Sequence, residues 1–188
     1  MAEGSSAVSD TKTKLLDAAA LCVQTRGYNG FSFHDLADAV GIKTASIHYH
    51  FPTKAELGQA LTRRYTTQFM TALGDPETGN PEQCLQRYVE LFRGALDSGR
   101  MCLCGMMGAE ISGVPDEVAS EVRAFFDANH TWVARVLERT GKPKATAAAH
   151  ARLFVATHEG AMLVARVSGD RPSFDEVAIA VLAIARMP

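Results

Sequence analysis

Two stretches carry residue types whose spacing can do chemistry. The first is Arg100-Met101-Cys102-Leu103-Cys104-Gly105-Met106-Met107-Gly108-Ala109-Glu110, which gathers thiols, thioethers, a cation and a carboxylate. A thiol at a helix start, beside a cation such as Arg100, has its pKa lowered by the helix dipole and the charge. The resulting thiolate can be alkylated or oxidised. The alternative is plain packing, with Cys102 and Cys104 as small core hydrophobes and Met106 and Met107 filling gaps. The second stretch runs from Lys43 to Lys54. Lys43, Thr44, Ala45, Ser46, His48, Tyr49 and His50 set small and polar groups on a short helix, with Lys43, Thr44, Ser46, His48 and Tyr49 the candidates for its outer face. Such groups suit phosphates and base edges. His48 and His50 are two apart, so on a helix they point about 200° away from each other and do not chelate one ion. No metal and no cofactor are expected.

Helices must position these groups, since almost every segment has helical periodicity. From Thr11 to Arg26 the apolar residues Leu15, Leu16, Ala19, Cys22 and Val23 recur at three and four, one buried stripe. Gly27 ends that helix. Ser32 and Asp35 form a capping-box-like start for a helix with Leu36, Ala37 and Val40 inward and Gly41 as its stop. A short helix follows from about Thr44 to His50, and Pro52 breaks the chain after it. Thr53 caps a longer helix from Lys54 to about Leu73, where Gly58 is poor helix chemistry. Residues 74–81, with two prolines and two glycines, make a loop. Further helices fit Glu82 to Asp97, Leu103 to Ser112, Pro115 to Thr140, Lys144 to Ser168 and Ser173 to Met187. No alternating strand pattern and no repeat is present. The fold class is all-α.

Composition narrows the function classes. The chain has 188 residues, 47% hydrophobic and 21% charged, enough apolar content for a core. Its longest apolar run, Val177 to Ala185, is nine residues, too short to span a bilayer. The start lacks the order of a signal peptide, and the four cysteines, Cys22 and Cys84 included, form no disulfide framework, so a cytoplasmic protein with reduced thiols is expected. Net charge is −2, yet residues 1–64 sum to +1 and the remainder to −3, a small bias toward anion binding at the N-terminal end.

Helix, glycine turn and short polar helix make the layout of a helix-turn-helix, whose second helix enters the major groove. Leu36, Ala37 and Val40 supply the packing, and Ile42 and Ile47 plug the second helix onto the core. The run Gly27-Tyr28-Asn29-Gly30-Phe31-Ser32-Phe33-His34-Asp35-Leu36-Ala37-Asp38-Ala39-Val40-Gly41-Ile42-Lys43-Thr44-Ala45-Ser46-Ile47-His48-Tyr49-His50-Phe51-Pro52-Thr53-Lys54-Ala55-Glu56-Leu57 resembles the DNA-binding head of TetR/AcrR-type transcriptional regulators. The resemblance covers roughly residues 11–60 and implies a three-helix head followed by a helical ligand-binding and dimerisation body. It places Tyr49 and Lys54 on positions that grip phosphates, and Thr44, Ser46 and His34 on positions facing bases or nearby phosphates. Lys43 stands where the family most often has a small capping residue, so Thr44 is expected to cap the short helix instead, and His48 replaces a frequent tyrosine. The implied division is 1–57 for the head, with a disordered start over 1–9, and 58–188 for the body.

The resemblance implies a regulator, in sign a repressor, whose partners are double-stranded operator DNA, a second copy of itself and a small inducer. The segment around Cys102 is similar to the Cys-Leu segment of members that respond to reactive electrophiles or acrylate-like compounds. A thiol-reactive inducer and a non-covalent apolar one both fit. Pocket candidates are Cys102, Met106, Met107 and Glu110, together with Phe126, His130, Trp132, His158, Glu159 and Met162. The last two helices are alanine-rich and apolar on more than one side, so each needs more than one partner, and a homodimer through them supplies it. Two other readings use the same residues. A helical adaptor would tolerate Tyr49→Ala and Lys54→Ala, and an enzyme would use Cys102, His130, His158 and Glu110 without any recognisable catalytic spacing.

Overall fold

In the computed structural model the backbone is described for residues 3–186 and the side chains for residues 10–185. Among the described residues there are nine α-helices and one 3-10 turn, with no strand. In chain order they are α1 (Glu3–Arg26), α2 (Phe33–Val40), α3 (Thr44–His50), α4 (Lys54–Leu73), α5 (Pro81–Asp97), α6 (Leu103–Ala109), the 3-10 turn Ile111–Gly113, α7 (Asp116–Glu138), α8 (Lys144–Ser168) and α9 (Arg171–Arg186).

The chain divides into two compact units. One takes the residues up to Tyr65 together with Leu103–Arg123; the other takes Thr66–Cys102 together with the residues from Ala124 on. Helices α4 and α7 each contribute to both.

Local chemistry explains the boundaries. Ser32 caps α2 as half of a full capping box: its hydroxyl accepts from Asp35 N at 3.3 Å, and the Asp35 carboxylate accepts from Ser32 N at 2.7 Å. Gly41 closes α2 in the left-handed region, φ 75°, where a side chain would be strained. Thr53 accepts from Glu56 N at 3.1 Å at the start of α4. Asn80 caps α5 ahead of Pro81, a residue pre-organised for the first helical turn.

Several sequence expectations are corrected. Helix α1 begins at Glu3, ahead of the start near Thr11 that the apolar stripe marks; Met1 and Ala2 lie outside the described residues. The cap of α3 is Lys43, and no side chain bonds the free amides there, so Thr44 is the first helical residue rather than the cap. Helix α6 ends at Ala109, and the expected run to Ser112 becomes the 3-10 turn where Glu110 leaves helical geometry. Helix α9 starts at Arg171 because Pro172 is tolerated in a first turn. The end expected at Met187 lies outside the described residues.

Gly58, which propensity alone marks as a defect, has a packing reason. A Cβ there would sit 2.8 Å from the Tyr28 ring and 3.0 Å from Val118 Cγ2. Ala at this site gains up to about 1 kcal/mol of helix propensity but must displace a buried ring. We expect Gly58→Ala to be net destabilising by about 1–2 kcal/mol in thermal or urea unfolding. A more stable variant would remove the close approach as the reason for this glycine.

Candidate functional site

The first unit exposes one surface of α3. Ile47 is fully buried and fixes the helix, while Lys43, Ala45, His48 and Tyr49 face outward, Tyr49 with 76% of its area exposed. Thr44, Ser46 and His50 are half-buried. Tyr49 stands edge-on to His50, ring centres 5.2 Å apart, so the phenol is aimed without being covered. His48 is engaged: its Nδ1 donates to Pro52 O at 3.1 Å, and its ring packs edge-on to Phe33 at 5.0 Å. The Nε2 edge of His48 is thereby left to a partner. His34 is exposed, with Nδ1 3.2 Å from Asp38.

Lys54 is held more firmly than the sequence suggests. Its Nζ donates to Phe31 O at 2.5 Å and lies over the Phe31 and Tyr28 rings, 4.3 and 4.8 Å from their centres. Partial burial lowers its pKa, against the pull of the Glu110 and Asp35 carboxylates. An ammonium has three donors, so two remain for a phosphate beyond the carbonyl contact. The ring contacts fix where that charge sits.

The second unit holds a different chemistry. Tyr88 of α5 is fully buried, stacked on Phe92 at 5.1 Å and Trp132 at 6.3 Å, and edge-on to Phe154 and His158 at 5.3 and 5.6 Å. His158 Nδ1 donates to Phe154 O at 2.7 Å. Three buried polar atoms in this cluster make no hydrogen bond: Tyr88 Oη, His158 Nε2 and Glu159 Oε1. Leaving such atoms unpaired costs about 1–3 kcal/mol each. Burial pushes the His158 imidazole down to about 4, against the Phe154 carbonyl, so it is neutral at pH 7. Burial pushes the Glu159 carboxyl up to about 7, against a hydrogen bond with the Cys102 thiol. Cys102 N also points at Met162 Sδ, 3.2 Å away. Trp132 is anchored by its indole N–H donating to Gly74 O at 2.7 Å.

Residues 15–61 match the family of bacterial regulatory proteins of the tetR type, and residues 81–180, more than half of the chain, match the C-terminal domain of LmrA/YxaF-like transcriptional regulators. The chain belongs to the TetR family. It is therefore a helix-turn-helix transcriptional regulator, with DNA binding seated in the head. Among its relatives is the HTH-type transcriptional repressor DhaR of Mycobacterium sp. strain GP1, 25% identical over 162 residues, covering 80% of each chain. A TetR-family regulator from Agrobacterium tumefaciens superposes with TM-score 0.88 at 33% identity, covering 94% of this chain and 97% of that one. A TetR regulator from Legionella pneumophila gives TM-score 0.87 at 32% identity, over 91% and 95%. Among the described residues no helix is long and apolar enough to cross a membrane.

Within this TetR-family frame the sequence candidates separate into two groups. Cys102, Trp132, His158 and Met162 come together with Glu159 in the second unit. Met107 and Glu110 are engaged in the first unit instead: Met107 Sδ accepts from the Thr62 hydroxyl at 3.5 Å, and the Glu110 carboxylate accepts from Asn29 N and Nδ2 at 2.9 and 3.0 Å. Met106 is half-buried. On α7, Phe126 packs edge-on against Phe125, and His130 is half-buried, with its pKa lowered by burial. Tyr88 was missed by sequence reasoning, because a lone tyrosine in an amphipathic helix carries no signal of its own.

Proposed function

We propose that this TetR-family chain is a ligand-responsive repressor that binds a near-palindromic operator as a homodimer through α8 and α9. The observation that carries the reading is a set of large apolar side chains left exposed on those two helices: Leu153, Leu163, Val164 and Val167 on α8, Ile179 and Ile184 on α9. Exposed apolar residues concentrated on two neighbouring helices are what a second copy would cover. Two heads carried about 34 Å apart would then read two half-sites one DNA turn apart. Division into a head over 1–57 and a ligand-binding body over 58–188 belongs to this reading. So do the contacts of Thr44, Ser46 and His34 to bases or nearby phosphates, the phosphate contacts of Tyr49 and Lys54, and the placing of Lys43, Ala45, His48 and His50 on the DNA-facing surface. The inducer is non-covalent and mostly apolar: both thiols of the Cys102–Cys104 pair are buried, which protects them from reagents in solution.

Capture of sheared genomic DNA by the purified protein at physiological salt, followed by sequencing, tests the proposal. Enrichment of a short near-palindrome is the expected result; retention that is unselective and salt-labile would remove it. With the operator in hand, Lys54→Ala should weaken binding to specific and unrelated DNA alike. It should also reduce the salt slope by about 1 per lost phosphate contact. Unchanged affinity at low salt would take Lys54 off the contact surface.

A further inference from the structure

We propose that the buried cluster of Tyr88, His158 and Glu159 beside Cys102 is the site that binds a small uncharged aromatic compound bearing a hydroxyl group. The inference rests on the ligand-responsive reading above and names the chemistry of its effector.

Three unpartnered polar atoms on two helices, all within one aromatic-walled cluster, point to a ligand that satisfies them. Their identities restrict that ligand. His158 commits its Nδ1 proton to the Phe154 carbonyl, so its Nε2 presents a lone pair and needs a donor. Tyr88 Oη presents a proton and needs an acceptor. One hydroxyl does both, donating to His158 and accepting from Tyr88. Glu159 Oε1, on the residue next to His158 and close enough to act electrostatically on Tyr88, is a further polar atom to satisfy. The surroundings are aromatic: Phe92 and Trp132 stack on Tyr88, and Phe154 stands edge-on to it. A planar apolar body with one polar end matches that arrangement. An anion would be brought against the Glu159 carboxyl, and a cation would lose its water against a neutral imidazole and a phenol. Entry requires a side chain that re-packs cheaply; Met162, in contact with Cys102 N at 3.2 Å, is unbranched and adaptable.

The protein carries its own reporter. Trp132 is the one tryptophan of the chain, and it stacks on Tyr88. The full chain is titrated with phenol, toluene and benzylammonium, following Trp132 fluorescence and, in parallel, heat. Saturable phenol binding at least about tenfold tighter than toluene is expected, since toluene leaves both polar atoms unpaired. Tyr88→Phe, which keeps the ring, should cost phenol about tenfold in affinity and leave toluene unchanged; thermal melting checks that the variant is folded. Absence of saturable phenol binding, equal affinity for toluene, tighter binding of benzylammonium, or indifference to Tyr88→Phe would each overturn the site. DNA retention is measured separately. Phenol that binds through Tyr88 without releasing DNA keeps the site and removes the ligand-responsive reading. Another compound that releases DNA equally from wild type and Tyr88→Phe keeps that reading and overturns the site.

Discussion

Val164→Glu should yield a folded chain that sediments near 20.2 kDa rather than at twice that mass, with operator affinity reduced by a hundredfold or more. Val164 is 61% exposed and Val167, one turn further along α8, is 81% exposed, so a carboxylate at 164 costs the single chain almost nothing. Pairing changes the sign. Two copies related by a twofold axis bury the same patch on each, so each substitution appears twice in the interface. A carboxylate there must be dehydrated against apolar neighbours without a cation. Loss of the dimer also removes the gain of binding two half-sites at once, on the order of 10²–10⁴ in affinity. Analytical ultracentrifugation and a DNA titration read both effects on one sample. A persistent dimer with intact DNA binding would place the pairing surface away from α8.

The second large effect is a pH profile that appears only when one partner is removed. The Glu159 carboxyl is raised from 4.5 to about 7, so its contribution to stability is complete below pH 4.5 and is lost as pH rises through 7. His158 is lowered from 6.5 to about 4, so its contribution is complete above pH 6.5 and is lost as pH falls through 4. Each is worth up to about 3 kcal/mol. Between pH 4.5 and 6.5 the two slopes oppose each other, and the wild-type stability from this pair should be nearly flat. Glu159→Gln leaves the histidine slope: unfolding free energy should fall by about 3 kcal/mol from pH 6.5 to 4, while the variant exceeds wild type at pH 8. His158→Phe leaves the opposite slope, falling from pH 4.5 to 7. Urea unfolding across this range measures both. Profiles as flat as wild type in both variants would mean that neither ionisation is coupled to folding.

What the sequence made legible follows from the range of each interaction. The head could be read because its determinants are short-range: Ser32 and Asp35 are three apart, Gly41 marks the turn, and Ile47 alone must face inward. Lys43 defeated the capping expectation because backbone geometry at an N-cap does not require a side chain that bonds, only one that tolerates extended φ and ψ. Gly58 looked like a flaw because helix propensity carries no information about Tyr28 and Val118, which reach it from elsewhere in the chain. Glu110 was grouped with Cys102 by proximity in sequence, yet its carboxylate turns to Asn29. The buried cluster was half legible. His158 and Glu159 were among the pocket candidates, while Tyr88 became visible only once α5 and α8 were placed together.

The seating of Glu110 bears on how freely this regulator can be re-engineered. Its carboxylate holds the amide and side chain of Asn29, and a Cβ added at Gly27 would fall 1.8 Å from Glu110 Oε1. Recombining this protein with a foreign head at a seam near residue 57 would therefore strand half of a lock. Any transplanted head needs a glycine and a hydrogen-bond donor at the positions of Gly27 and Asn29, or must travel with its own counterpart of Leu103–Arg123. The exchangeable module is discontinuous, two pieces of chain that have to be inherited together.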